Sequence, residues 1–130
     1  DAFMKNAAES AKEKGYVTTL FMRRRPIPEI HSSNGMMRAF GERVALNMPI
    51  QGTAADIIKI AMINVDAEIK KRNLQSNLIL QIHDELIIEA DEKEKDLIIS
   101  ILKESMESAY DLNVPLVAET GSGKSWFDCK

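Results

Sequence analysis

The residues with the most chemical potential are His83-Asp84-Glu85, set between the apolar runs Ile79-Leu80-Gln81-Ile82 and Leu86-Ile87-Ile88. Runs of this length and β-branched character read as strands. The triplet between them is too polar for a core and too short for a loop of its own. A tight hairpin with the triplet at its bend is the simplest geometry. It would hold a carboxylate on a rigid scaffold with open space in front, the placement needed to hold a cation against a phosphate. The competing reading is that a hairpin bend is commonly polar and that Asp84 only bonds backbone amides.

A second group of polar residues is Arg43, Asn47 and Gln51, around Asn47-Met48-Pro49-Ile50-Gln51-Gly52-Thr53. Pro49 lacks an amide hydrogen and crowds the preceding turn, and Gly52 gives the chain freedom to turn. The pattern predicts a break between a helix over 36–48 and a second over 53–72, with polar side chains exposed at the break. The alternative role for Asn47 and Gln51 is to satisfy loose backbone groups at two helix ends. Arg23-Arg24-Arg25 could touch phosphates or be a wetted edge that discourages strand pairing.

One pattern is a decoy. Ala118-Glu119-Thr120-Gly121-Ser122-Gly123-Lys124-Ser125 imitates a phosphate-binding loop after a candidate strand at 115–118. Such a loop works through the amides of a helix that starts at its Lys-Ser end. Only five residues follow Ser125, too few to nucleate that helix. The glycines are expected instead to bend the chain so that Trp126 and Phe127 can pack.

The remaining elements must position these groups. Ala7, Ala8 and Ala11 recur with Phe3 at helical spacing over residues 1–14, and Gly15 is a natural stop. Tyr16 to Phe21 is β-prone, and the arginines lead into an extended Pro26-Ile27-Pro28 segment. Ser32-Ser33-Asn34-Gly35 is cap chemistry. The first long helix is expected to bury Met37, Phe40, Val44 and Met48. The second is expected to open with a capping box at Thr53–Asp56 and to bury Ala54, Ile58, Ala61, Met62, Val65 and Ile69. Asp91 and Glu94 form another capping-box pattern before a helix that buries Leu97, Ile98, Ile101, Leu102, Met106 and Ala109. The fold class that follows is α+β. An antiparallel hairpin sheet over 78–90 is covered on one face by the helices at 53–72 and 92–109.

Composition sets limits. Hydrophobic residues make up 45% and charged residues 28% of 130, which fits a folded soluble domain rather than a disordered chain. No apolar run nears the ~20 residues of a membrane span, and residues 1–14 lack the apolar centre of a signal peptide. Cys129 alone cannot make an internal disulfide and fits a reducing compartment, so a cytoplasmic location is expected. The first residue is Asp rather than Met, which suggests a fragment. Net charge is −3, split as +4 over residues 1–72 and −7 over 73–130. A basic half could meet a phosphate backbone while an acidic half supplies cation ligands, though two solvated faces would look the same.

Three segments together resemble the C-terminal part of family A DNA polymerases, the bacterial DNA polymerase I type. They are Gly15-Tyr16-Val17-Thr18-Thr19-Leu20-Phe21 with Arg23-Arg24-Arg25, the run Glu42 to Asp56, and Gln81-Ile82-His83-Asp84-Glu85-Leu86. The likeness covers essentially the whole chain, and Met22 stands where these polymerases often carry Gly. The resemblance implies a partial palm with a piece of the fingers, residues 1–35 belonging to the fingers and connecting hairpin and 36–130 to the palm. It implies that Asp84 is one of two palm carboxylates that hold a pair of Mg²⁺ ions, with Glu85 its acidic neighbour. His83 is implied to contact the primer terminus. Arg43, Asn47 and Gln51 are implied to face the primer–template duplex, where minor-groove acceptors sit alike in every correct pair.

The partners so implied are primer–template DNA and deoxynucleoside triphosphates, with no membrane. The family's other metal-binding Asp and its nucleotide-clamping helix have no counterpart in the sequence. The expectation is therefore a C-terminal portion of a longer polymerase, inactive alone and prone to self-association. A single-subunit RNA polymerase shares the His-Asp pair but usually lacks the following Glu and the Gln-Gly-Thr-Ala-Ala-Asp run. A non-catalytic duplex-DNA-binding or structural fragment is the reading from another class.

Overall fold

The computed structural model of the chain describes residues 2–129, apart from the side chain of residue 3. Helix α1 (Ala2–Lys14) leads into a hairpin of β1 (Tyr16–Thr18) and β2 (Arg24–Pro26), then a 3₁₀ turn at Pro28–His31. A long helix α2 (Gly35–Lys71) follows, then a second hairpin of β3 (Asn77–Ile82) and β4 (Glu85–Glu89). A 3₁₀ turn at Glu92–Glu94, helix α3 (Lys95–Glu107) and a 3₁₀ turn at Trp126–Cys129 complete the order. The class is α+β, with two separate two-stranded antiparallel sheets. The chain divides into two compact units whose boundary falls inside α2, between Asp56 and Ile57.

In the first unit, Gly15 ends α1 with φ +75, a conformation that costs glycine little, and its amide donates to Ala11 O at 2.8 Å. The core is Ala11, Val17, Ile27, Ile30 and Ala45, with Val44 and Met48 packed against it. Helix α2 lies with its backbone almost on the Pro28–His31 turn. A Cβ on Gly41 would stand 2.8 Å from Ile30 N and 3.0 Å from Ile30 Cα. This close approach corrects the expected stripe: Met37 and Phe40 are 44% and 43% exposed, and Gly41 and Ala45 are buried in their place. Hydropathy marks large apolar residues as inward, whereas a helix seated on backbone buries its smallest ones. Asn34 caps the helix as expected, Oδ1 accepting from Met36 N at 2.9 Å.

The expected break at Pro49 does not exist: α2 is continuous through it. A proline inside a helix costs about 3 kcal/mol, since it removes one hydrogen bond and crowds the previous turn. Burial of Ile58, Val65 and Ile69 further along the same helix outweighs this, at roughly 1.5–3 kcal/mol each. Thr53 and Asp56 consequently sit mid-helix and form no capping box. The Thr53 hydroxyl instead donates to Pro49 O at 2.5 Å. Gly52 does not serve as a hinge either. Its missing Cβ makes room for Thr19, whose Cγ2 would be 2.7 Å away.

In the second unit, Ile58, Ala61, Val65 and Ile69 of α2 meet Leu86 of β4 and Ile98 of α3, with Leu78, Ile88, Leu102 and Met106 around them. The hairpin thus lies against both helices, as its apolar pattern implies; Ala54 and Leu97 of the expected stripes are exposed. Pairing runs Ile82↔Glu85, Gln81↔Leu86 and Leu80↔Ile87, then shifts at a bulge between Leu78 and Leu80. Helix α3 begins three residues later than expected. Asp91 caps the 3₁₀ turn, accepting from Lys93 N at 2.9 Å. Glu94 does not reach back to Asp91 as a capping box requires. It accepts from Gln75 N at 2.8 Å and from the Ser76 hydroxyl at 2.7 Å, and ties the entry of β3 to the start of α3.

Two C-terminal expectations are corrected. Residues 115–118 form no strand; Ala118 N donates to Glu107 Oε1 at 3.1 Å, a side-chain partner in place of a ladder. Phe127 is 87% exposed and so does not pack as expected, while Trp126 is 42% exposed. Gly121 and Gly123 are required because residues 128–129 pass against them, a Cβ on Gly123 falling 2.4 Å from Asp128 Cβ. Among the described residues no helix is long and apolar enough to cross a membrane.

Candidate functional site

The hairpin bend consists of His83 and Asp84, between the last paired residues Ile82 and Glu85. His83 has φ +53, while Asp84 is not among the residues with positive φ. A positive φ at the first central residue alone is the sign pattern of a type II′ turn, whose twist matches that of the flanking strands. Glycine is the usual occupant. A histidine there costs roughly 1–2 kcal/mol of backbone strain. The bend is braced from within: Gln81 Nε2 donates to His83 O at 2.6 Å. His83, Asp84 and Glu85 are all exposed, and Leu86 immediately beyond is buried. The Asp84 carboxylate thus stands in solvent two residues from a side chain fixed in the core.

Arg43, Asn47 and Gln51 lie in the first unit, all exposed on α2. Their four-residue spacing on a continuous helix puts them along one stripe, roughly opposite the face that carries Gly41, Ala45 and Gly52. Their exposure comes from which side of a continuous helix is docked, and owes nothing to a break in it. The stripe offers a guanidinium and two carboxamides, donors suited to base-edge acceptors and phosphate oxygens. Met36, Phe40 and Ile50 are exposed on the same helix at 80%, 43% and 62%, an apolar surround for those donors.

The first unit also holds a polar cluster that sequence reasoning missed. Arg23 Nε donates to Asp56 Oδ1 at 2.8 Å, and its Nη2 donates to Gly52 O at 3.2 Å. Thr53 Oγ1 accepts from Leu20 N at 3.0 Å. Asp56 is buried, and its Oδ2 has no partner among the described residues. Of the arginine triplet, then, Arg23 is engaged with Asp56 and Gly52, and Arg24 stacks over the Tyr16 ring at 4.7 Å. Thr53 and Asp56 read as helix-start signals because Pro49 and Gly52 precede them. Their phase with Ala45 and Gly52 along one uninterrupted helix was the available clue.

Among the described residues no three of His, Cys, Asp and Glu stand together so as to hold a metal ion. A divalent cation such as Mg²⁺ takes about six oxygen ligands, several of them commonly water, with one or two carboxylates from protein. The residues present therefore do not make a two-cation site of their own; Asp84 offers a single exposed carboxylate at a braced bend.

Comparison with known proteins gives a consistent result. The profile of DNA polymerase family A matches residues 1–128. DNA polymerase I of Bacillus subtilis (strain 168) is 51% identical over 129 residues, 99% of this chain and 15% of that protein. DNA polymerase I of Bacillus caldotenax is 50% identical over 128 residues, again covering 15% of the relative. Among solved structures, the POL domain of Pol1 from M. smegmatis, in complex with DNA primer-template and dNTP, superposes with a TM-score of 0.95. It is 46% identical, and the match covers 98% of this chain and 23% of that one. The chain thus spans about 15% of the length of the curated relatives it matches.

Proposed function

Because this chain belongs to DNA polymerase family A, we propose that it is the part of a DNA-directed DNA polymerase that presents the primer–template contacts and one catalytic carboxylate. The reaction is template-directed nucleotidyl transfer from a deoxynucleoside triphosphate to a primer 3′-hydroxyl. The reading is carried by one observation: an exposed His-Asp-Glu triplet on a strained, internally braced hairpin bend. In this reading residues 1–35 belong to the fingers and the connecting hairpin, and 36–130 to the palm.

Asp84 is the carboxylate this chain contributes toward a two-Mg²⁺ site, with Glu85 in a secondary place; the remaining ligands come from outside it. When bound, the cations supply charge neutralisation at the transferred phosphoryl group. His83 meets the primer terminus. Arg43, Asn47 and Gln51 face the duplex, where donors can test the shape of a pair without reading its sequence. The activity is that of the longer polypeptide. By itself the chain lacks the second metal-binding Asp and the nucleotide-binding helix, and it does not polymerise. A cytoplasmic location follows from replication and repair work on DNA.

Primer extension tests this directly. In the intact polymerase, Asp84→Asn lowers the extension rate by about 10³-fold, the loss typical of removing one group that stabilises transition-state charge. The isolated chain gives no magnesium-dependent synthesis. Synthesis by the isolated chain, or an Asp84→Asn enzyme of near-normal rate, refutes the assignment. The second reading, a non-catalytic duplex-binding piece, is favoured for the chain alone by the exposed stripe of Arg43, Asn47 and Gln51 on α2. Its mark is salt-dependent duplex affinity that weakens in Arg43→Ala.

A further inference from the structure

We propose that Arg23 and Asp56 are positioning residues: with Thr53 they splint α2 across Pro49 and fix the direction of Gln51 relative to Arg43 and Asn47. The functional half of this rests on the reading that those three side chains meet the primer–template.

Pro49 leaves Ala45 O without its helical amide, so α2 has a soft joint between Asn47 and Gln51. Two residues of the polar stripe precede that joint and one follows it. Before the joint, the helix is seated through Gly41 on the backbone of Ile30. After it, three hydrogen bonds descend from a single turn: Leu20 N to Thr53 Oγ1 at 3.0 Å, Arg23 Nε to Asp56 Oδ1 at 2.8 Å, and Arg23 Nη2 to Gly52 O at 3.2 Å. The turn is stiff in its own right. Thr19 Oγ1 accepts from Phe21 N at 3.2 Å and from Arg23 N at 3.3 Å, and Thr19 N donates to Arg23 O at 3.0 Å. Helix α2 is therefore anchored before the proline to the Pro28–His31 turn and after it to the Thr19–Arg23 turn, two segments joined through the core of Ala11, Val17, Ile27 and Ile30. The joint cannot bend without breaking these bonds or lifting Gly52 off Thr19.

The pair is poorly built for stability alone. Asp56 is buried with Oδ2 unpartnered, while Arg23 is about half exposed. Apolar residues of similar volume serve stability as well as such a pair does, whereas a directional bond to one carboxylate oxygen sets an angle.

Spin labels flanking the joint test the splint in the chain itself. Met37→Cys and Ala54→Cys, in a Cys129→Ser background, place two nitroxides on exposed helix positions about 25 Å apart along the axis. The expected result is a narrow distance distribution that at least doubles in width in Arg23→Gln and in Asp56→Ala, with helical circular dichroism unchanged. Arg23→Lys does not restore it, because one ammonium cannot reproduce the fork that meets both acceptors. Equal widths in parent and variants overturn the splint.

In the intact polymerase, Arg23→Gln lowers kcat/KM for primer extension about tenfold, as expected for misplacement of a contact by a fraction of an ångström. In a Gln51→Ala background the same change costs less than about twofold. Independent, multiplicative losses overturn the coupling to Gln51. If Gln51→Ala itself leaves extension unchanged, the primer–template role of Gln51 fails, while the spin-label widths still decide the splint.

Discussion

Replacing Gly41 by alanine sets two effects of opposite sign against each other. In an exposed helix interior the change stabilises by about 1 kcal/mol, because glycine loses more backbone freedom on folding. At position 41 the added methyl would stand 2.8 Å from Ile30 N, 3.0 Å from Ile30 Cα and 3.1 Å from Glu29 C. All three are backbone atoms in a 3₁₀ turn, so no flexible side chain can swing aside. Overpacking of this kind typically costs 1–3 kcal/mol, and backbone neighbours place it at about 2–3. The expected net is a loss of about 1–2 kcal/mol. Gly35→Ala is the control: it lies at the start of the same helix, where the nearest atom is Arg38 Nη2 at 3.9 Å. There the expected change is a gain of about 0.5 kcal/mol. Urea unfolding followed by circular dichroism compares the two. Native-state hydrogen exchange at the Ile27 amide, bonded to Gly15 O at 2.9 Å, reads the first unit directly. Protection there falls about tenfold for each 1.4 kcal/mol lost. A Gly41→Ala protein as stable as the control variant refutes the claim that α2 is seated on backbone.

Three further outcomes follow from local geometry. Met22 is 70% exposed with φ +65, so Met22→Gly relieves left-handed strain and raises stability by about 0.5–1 kcal/mol in thermal unfolding; a loss contradicts the strained turn. The Glu94 carboxyl is held below its ordinary value of 4.5, chiefly by the Gln75 amide and then by the Ser76 hydroxyl and amide. A carboxyl with a depressed folded-state pKa stabilises fully above 4.5, and that contribution is lost as pH falls through the lower folded value. Glu94→Gln is therefore less stable than the parent at pH 7, and the gap narrows below pH 4.5 in urea titrations; a gap constant with pH contradicts the charge-assisted tie. Ile79 and Leu80 on β3 are 56% and 39% exposed beside open strand edges, so the isolated chain self-associates, and light scattering that gives a clean monomer counts against it.

Where side-chain pattern alone governs structure, the sequence was sufficient. Alternating and clustered apolar residues around His83-Asp84-Glu85 determined the β3–β4 hairpin, and the stripe Ile58, Ala61, Val65 and Ile69 determined the face that α2 turns to it. The polar triplet could only stand at the bend. What the sequence could not carry was the effect of backbone approaching backbone. Gly41 and Ala45 are buried because α2 rests on the Ile30 turn, and hydropathy gives small residues no weight. Pro49 and Gly52 are breakers as local residues, yet α2 continues through them, since burial summed along the helix exceeds the cost of one proline. The Arg23–Asp56 pair joins residues 33 apart, a contact that exists only once the Thr19–Arg23 turn has docked. Local propensity acts over a few residues, whereas the close contacts that decide these positions are made between segments distant in the chain.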